Sequence, residues 1–287
     1  MTEETSEQEK TGVLSALKGM VSFFTLFHLD ITKRDMDSME ERFHLVPIVG
    51  AVYSLITLII VSLGLFLFRE TGMGSPLMIG IFCLASVYIF SKFLHFDGMT
   101  DFGDGMIVSG RPEDHVRALK DSLVGAGGIG VALTVVLISV GIYSVIPLVA
   151  MAMVVPVTEI LVKFAMVVAA ARGKPGHGMA GRQVELTTGR SIVYALVIAA
   201  VLAAVFWVAG MSVTDSVLGY SLGIGYGQTA LVLVLGFVAA AVVACLMART
   251  ANRNFDMVNG DILGATNEIS RPVIMFVMTL AVYALVI

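Results

Sequence analysis

Apolar stretches long enough to cross about 30 Å of hydrocarbon recur along this chain, separated by short polar segments. The pattern predicts full spans over 44–68, 76–96, 123–144, 147–170, 191–210, 228–248 and 271–287. A shorter apolar run, residues 12–29, carries Lys18 and His28 and reads as an interfacial helix or an incomplete span. Residues 1–11 open polar and acidic, without the basic start of a signal peptide, and are expected to form a disordered tail. The expected fold is all-α: a polytopic integral membrane helical bundle of about seven transmembrane helices plus the short N-terminal helix.

Composition agrees with lipid as the solvent. The 287 residues are 57% hydrophobic and only 14% charged, where a soluble domain is nearer a quarter charged. Cys83 and Cys245 both sit in apolar runs, which offers neither a disulfide framework nor zinc spacing. The placement of charge says more than its sum of −4. Segments 1–43, 91–122, 171–190 and 249–271 hold 16 of the 18 Lys and Arg and nearly all the acids. Alternating spans put all four on one side, which the positive-inside rule makes cytoplasmic, with the C-terminus outside. One face is chemically rich and the other nearly inert, so the expectation is one active site at the cytoplasmic surface of a multi-pass cell-membrane protein. Residues 12–287 then form a single transmembrane catalytic domain, in contact with membrane lipid. A homo-oligomer is compatible with the pattern, and nothing in it calls for nucleic acid.

The densest chemistry is His95-Phe96-Asp97-Gly98-Met99-Thr100-Asp101-Phe102-Gly103-Asp104-Gly105. On a helix, Asp97, Asp101 and Asp104 fall at i, i+4 and i+7 and project from one face. Three anions so close repel one another, and a divalent cation with hard oxygen ligands, Mg²⁺ or Mn²⁺, relieves the repulsion. The flanking glycines keep that face open. Next come Arg111, with Pro112 to start a helix and Glu113 and Asp114 at its positive end, then Arg117, Lys120, Asp121 and Ser122. Beside a metal site such cations neutralise phosphate oxygens, arginine bidentately. Asp121 abuts the glycine-rich entry to the next span, residues 125–130.

Within the fourth span Glu159 and Lys163 stand four apart, either a functional pair or a mutually neutralising structural one. The loop after it carries Arg172, Lys174, His177, Arg182 and Gln183 among glycines, suited to a diphosphate, a closing lid or anionic headgroups. The last polar segment places Asp261, Gly264 and Glu268 on one helical face, with Asn267 one residue round. Gly264 leaves a gap through which a neighbour can approach. Two acidic clusters far apart in sequence but on one side of the membrane suit a metal–nucleotide unit held between them.

Taken together these motifs resemble the cobalamin synthase family, adenosylcobinamide-GDP ribazoletransferase. The family pattern is roughly H-x-D-G-x-x-D-x-x-D-G, K-D-S, a glycine-rich span, G-R-Q and G-D-x-x-G-x-x-x-E. Its counterparts here are His95 to Gly105, Lys120-Asp121-Ser122, Gly181-Arg182-Gln183 and Gly260-Asp261 to Glu268, with Pro47 to Gly50 like the family's first span. The likeness runs from about residue 20 to the end, in the family's order. Two departures, Leu123 where the family often has arginine and Glu159 with Lys163 where its fourth span often carries one, fit an archaeal or otherwise distant prokaryotic member.

The resemblance implies the reaction. A ribose hydroxyl of α-ribazole, or of its 5′-phosphate, attacks the cobinamide-side phosphorus of adenosylcobinamide-GDP and expels GMP. It makes Asp97, Asp101, Asp104, Asp121 and Glu268 catalytic candidates, with Asp97, Asp101, Asp104 and Asp261 as Mg²⁺ ligands. His95, Arg111, Arg117, Lys120, Ser122, Arg182, Gln183 and Asn267 become candidate substrate contacts. Two rivals share some of these features. A CDP-alcohol phosphotransferase also clusters aspartates at a helix mouth, but Val108-Ser109 replaces the A-R of its motif and the later aspartate pair is missing. A cation-coupled transporter would use intramembrane acids such as Glu159, yet the chain shows no convincing internal repeat.

Overall fold

The structure is a computed structural model and describes residues 12–220 and 222–286. The tail expected over 1–11 lies outside the described residues. Twelve α-helices occur among the described residues: α1 (Val13–Phe24), α2 (Lys33–Glu41), α3 (Val46–Thr71), α4 (Pro76–Phe90), α5 (Leu94–Ile107), α6 (Pro112–Leu119), α7 (Ala126–Val145), α8 (Met151–Arg172), α9 (Gly178–Leu186), α10 (Gly189–Leu218), α11 (Tyr226–Asn254) and α12 (Gly260–Val286). Among the described residues six segments are long and apolar enough to cross a membrane, and α4 with α5 makes a seventh if that bent pair is one span. The all-α, multi-pass membrane architecture follows directly.

The helix α8 is the mast of the bundle. Every residue from Met151 to Ala170 is buried, with α3, α10, α11 and α12 packed around it. A helix apolar on all sides belongs in a core, and that is where this one lies. The outer helices are one-sided. Val193, Val197, Val201, Val205 and Val208 of α10 face outward, whereas Ala195, Ala199, Ala203 and Trp207 face the core. Small residues bring neighbouring backbones close. A Cβ at Gly50 would lie 2.7 Å from the Glu159 carbonyl oxygen, so glycine sets the α3–α8 distance.

Contacts identify the two ends. At one, Arg69 reaches the Val217 carbonyl (3.2 Å) and Tyr283 the Val145 carbonyl (3.0 Å). At the other, Gly176 donates to Val258 O (3.1 Å), and Asn252 binds the Arg172 carbonyl (3.0 Å). This second end carries α5, α6, α9 and the start of α12, and so the polar motifs. Near it, α2 folds back on α1, where Gly19 admits the Asp35 backbone, and the Tyr53 hydroxyl ties α3 to the Phe24 carbonyl.

The expected span 76–96 needs correcting. α4 stops at Phe90, and at 1.5 Å per residue its 15 residues rise only about 22 Å. Lys92 and Phe93 take positive φ values of 55° and 57°, and α5 leaves at 90° to α4. Neither is glycine, so the bend is a strained one that its surroundings maintain. Phe93 is held between Tyr88 and Phe96 (ring centroids 5.9 and 6.1 Å), and Lys92 Nζ donates to the Ser22 carbonyl (3.2 Å). The last expected span likewise begins earlier, since α12 already starts at Gly260 and carries the polar segment with it.

Candidate active site

Turned aside by that bend, α5 presents its acids at the polar end of the bundle. Asp97, Asp101 and Asp104 all lie on this one helix, as their spacing predicts. α12 crosses α5 at glycines from both sides: a Cβ on Gly98 would meet the Asp261 Cα at 2.8 Å, and one on Gly264 would meet the His95 Cα at 3.2 Å. The gap read at Gly264 is thus filled by the first acidic helix. This crossing brings Asp261 up to the α5 aspartates, and the charges of Asp261, Asp97 and Asp104 all act on Asp101. Asp261 Oδ2 accepts from Asn259 Nδ2 (2.8 Å), and the Lys120 ammonium is near enough to act on it as well. Four carboxylates and one lysine, drawn from three places in the sequence, form one anionic rim.

Asp104 has a further engagement. Its two oxygens accept from the backbone amides of Gly125 (2.7 Å) and Gly128 (2.8 Å), at the N-cap and third position of α7. A carboxylate there satisfies amides that the helix leaves orphaned, and it meets the positive end of the helix dipole. The glycine-rich entry to α7 thus receives the Asp104 carboxylate. Nor do the three α5 aspartates form a ready cage: among the described residues no three His, Cys, Asp or Glu converge closely enough to hold an ion. Asp97 and Asp101 are the acids of this helix left without a hydrogen-bonding partner among the described residues.

The second acidic group resolves differently from the shared-face expectation. Glu268 lies seven residues beyond Asp261, about 10 Å further along α12, and is sealed in the core. One of its oxygens accepts from Arg271 and the other from Asn267 Nδ2 (2.9 Å). Arg271 also grips Glu159 with two nitrogens, at 2.9 and 3.2 Å. Glu159 and Lys163 therefore make no direct ion pair with each other among the described residues, because α8 presents them to different partners. Lys163 Nζ bonds His95 Nε2 (2.6 Å) and Asn267 Oδ1 (2.8 Å), and lies 5.1 Å from the Tyr53 ring centre. With the ammonium donating, His95 Nε2 accepts and its proton sits on Nδ1. Two acids and two bases are thus closed on themselves inside the bundle. The catalytic role expected of Glu268, and the substrate contact expected of Asn267, both meet this obstacle: neither side chain is open to a ligand. Arg271, the hub, stands in sequence at the edge of the last expected span, where nothing local marks it as the partner of two acids.

The remaining candidates are scattered more widely. Arg111 and Arg117 are exposed on α6, Arg117 paired to Asp114 (3.4 Å). Ser122 and Asp121 are exposed too, and Asp121 accepts from the Leu123 amide (3.0 Å). Arg182 reaches Glu40 of α2 (3.2 Å). Lys174 pairs with Asp256, and its backbone amide donates to Asn252 (2.8 Å). Gln183, on the next face of α9, turns inward and is buried.

His95, Asp97, Asp261 and Gln183 meet at a cavity of about 170 Å³ beside the rim. Its walls are mostly apolar: Phe23 and Phe24 from α1, Phe43, Met166 of α8 and Met179 of α9 among them. Nothing in the spacing of these aromatics marks them in sequence, because they come from elements that meet only in the fold.

A profile of cobalamin-5-phosphate synthase matches residues 16–279, which takes in α5, all but the last turns of α12 and every wall of the cavity. The chain belongs to the cobalamin-5-phosphate synthase family. Among similar curated proteins, one from Methanococcoides burtonii named adenosylcobinamide-GDP ribazoletransferase is 27% identical, covering 96% of this chain and 95% of its own. Proteins of the same name from Methanocella arvoryzae and Pyrococcus abyssi are 28% and 29% identical, covering 90% and 83% of this chain and 93% and 88% of their own. All three are archaeal, in keeping with the departures from the family pattern. No solved structure matches the chain. Family membership over nearly the whole length does not favour the CDP-alcohol phosphotransferase or the transporter.

Proposed function

We propose that this membrane protein joins adenosylcobinamide-GDP to α-ribazole or its 5′-phosphate, releasing GMP. The observation that carries the reading is the α5–α12 crossing. It gathers Asp97, Asp101 and Asp261 from two distant stretches of a chain whose relatives bear the transferase name.

In the transfer, a ribose hydroxyl oxygen forms a bond to the cobinamide-side phosphorus. The bond from that phosphorus to the GMP oxygen breaks, and the hydroxyl proton leaves to a base. The problem set by a diphosphate is charge, and the rim is itself anionic, so a divalent cation is required to bring the two together. The donor set fits Mg²⁺: hard carboxylate oxygens in mutual repulsion, with the Asp97 and Asp101 side chains lacking hydrogen-bonding partners among the described residues. That ion usually takes only one or two carboxylates, keeping water and phosphate for its other positions, so a three-acid cage is not needed. One or two carboxylates from among Asp97, Asp101 and Asp261 would hold it, and it would polarise the phosphoryl oxygens and offset charge on the departing GMP. Asp104 fixes the α5–α7 junction and so the aim of its neighbours. Lys120 faces the rim and supplies a positive charge for the diphosphate. Arg111 and Arg117, exposed on α6 close by in sequence, are placed to meet the outer phosphate.

The polar end is cytoplasmic on the basic-residue asymmetry, where the soluble nucleotide-linked substrate is available. The deciding experiment is GMP release by purified protein given adenosylcobinamide-GDP and α-ribazole 5′-phosphate, titrated with Mg²⁺ and reversed with chelator. GMP release that rises with Mg²⁺ is expected; absence of GMP at any Mg²⁺ or Mn²⁺ concentration overturns the reading.

A further inference from the structure

Gln183 is 3% exposed, and its side-chain amide nitrogen is buried with no hydrogen-bond partner among the described residues. An amide left so is expensive, by a few kcal/mol, unless something else completes it. The same side chain lines the cavity beside the rim. Around it the walls are flat or soft: the Phe24 and His95 rings lie 5.7 Å apart and tilted by 34°, Phe23 stands edge-on to Phe24 at 4.9 Å, and Met166 and Met179 add polarisable sulfur.

Size narrows the occupant. Pockets for drug-sized ligands run from about 300 to 1,000 Å³, and this one measures about 170 Å³. It admits one ring system, not a nucleotide and not a corrin. Polarity narrows it further. Apart from Asp97 and Asp261 at the rim, the polar side-chain groups of the cavity lining among the described residues are the Gln183 amide and the His95 ring, whose Nε2 is taken up by Lys163 and whose Nδ1–H remains. Guanine carries several donors and acceptors along its edges, most of which would stay unpaired here. A glycosylated benzimidazole carries one free ring nitrogen and is otherwise hydrocarbon, which matches one amide donor among aromatic and thioether walls.

We propose that this cavity between α1, α5, α9 and α12 is the subsite for the planar benzimidazole base of the acceptor nucleoside, oriented by the Gln183 amide. The proposal rests on the transferase reading and specifies which substrate enters where. With the base seated, the attached ribose emerges at the mouth, beside Asp97 and Asp261, where the attacking hydroxyl is needed. The larger donor stays outside, against the open rim and α6. The sealed His95–Lys163 contact then serves as the rigid floor on which the ring stacks.

The test uses full-length protein in detergent, with α-ribazole binding measured by calorimetry alongside GMP-release kinetics. Gln183→Leu, close in size but unable to donate, should raise the α-ribazole Kd about tenfold. The acceptor KM should rise more than kcat falls, with the KM for adenosylcobinamide-GDP unmoved. An indole riboside, lacking the ring nitrogen, should bind the parent about tenfold more weakly than α-ribazole but bind Gln183→Leu equally well. Ala180→Phe, filling the cavity from α9, should abolish α-ribazole binding and leave GMP binding intact. Equal α-ribazole affinity in the parent and a folded Gln183→Leu overturns the proposal, as does a parent that does not bind α-ribazole. So does an Ala180→Phe variant that loses GMP and keeps α-ribazole. GMP release with acceptor binding indifferent to Gln183 would remove the subsite and leave the transferase reading. Gln183-dependent binding without GMP release would do the reverse.

Discussion

The rim and the core network both draw ionisable side chains from α5 and α12, the core adding Glu159 and Lys163 of α8, yet they are opposites. In the core, Glu159, Glu268, Arg271 and Lys163 satisfy one another with His95 and Asn267, and every one is buried. At the rim, Asp97 and Asp101 have no hydrogen-bonding partner among the described residues and share the field of two further carboxylates. Seven residues of α12 separate the two regimes. The difference teaches how to read acids in a membrane bundle. Where the protein supplies the counter-charge, an acid fixes the fold; where it withholds it, the acid waits for a charge from outside.

The most severe way to break this contrast is Arg271→Met. Removing one partner of a buried pair leaves Glu159 and Glu268 uncompensated, which costs roughly 3–5 kcal/mol. The expected result is a sharply lowered melting temperature in detergent or failure to accumulate in membranes. A variant that melts with the parent would show that the network is not structural.

At the rim the outcome should be inverted. Asp97→Asn and Asp101→Asn each relieve like-charge repulsion and remove a ligand, so turnover should fall by two to three orders of magnitude, about 3–4 kcal/mol of barrier. Melting should hold or rise. Near-normal GMP release at limiting Mg²⁺ from both variants would take the metal away from α5.

Asp104 stands between the regimes, being an acid that the protein half satisfies. Asp104→Ala leaves the Gly125 and Gly128 amides bare and should cost about 1–2 kcal/mol of stability. Asp104→Asn still offers one acceptor oxygen and should recover part of that loss. If the two variants melt alike, the contact with α7 carries no weight.

The smallest effect belongs to Glu40, paired with Arg182 over the α2–α9 contact. Burial pushes its carboxyl up from the ordinary 4.5, opposed by Arg182 and aided by Asp37 and Glu41. A raised carboxyl is one whose charged form the fold disfavours. Its contribution to stability is therefore present below the unfolded value and is lost as pH rises through the folded one. Glu40→Gln should flatten the decline in melting temperature just above pH 4.5, by a few tenths of a kcal/mol at most. An unchanged slope would mean that the pair is fully solvated.

The spacing of Asp97, Asp101 and Asp104, the apolar lengths of the spans and the small residue at Gly264 are local properties, and each was legible because helical periodicity depends only on neighbours in sequence. The family likeness was legible for the same reason, its motifs being short and ordered. What the fold alone decided is which partner each charge meets. Glu159 and Lys163 stand four apart on one helix and still part company, since α8 is buried on all sides and can face Arg271 with one and His95 with the other. The bend at Lys92 and Phe93 has no glycine or proline to announce it; it exists because Tyr88, Phe96 and the Ser22 carbonyl hold it. Phe23, Phe24, Phe43, Met166 and Gln183 form one cavity only after five helices, α1, α5, α8, α9 and α12, have closed around it. A sequence states what each helix can present, and the packing of α8 and α12 against their neighbours settles which charges are neutralised and which are left for a ligand.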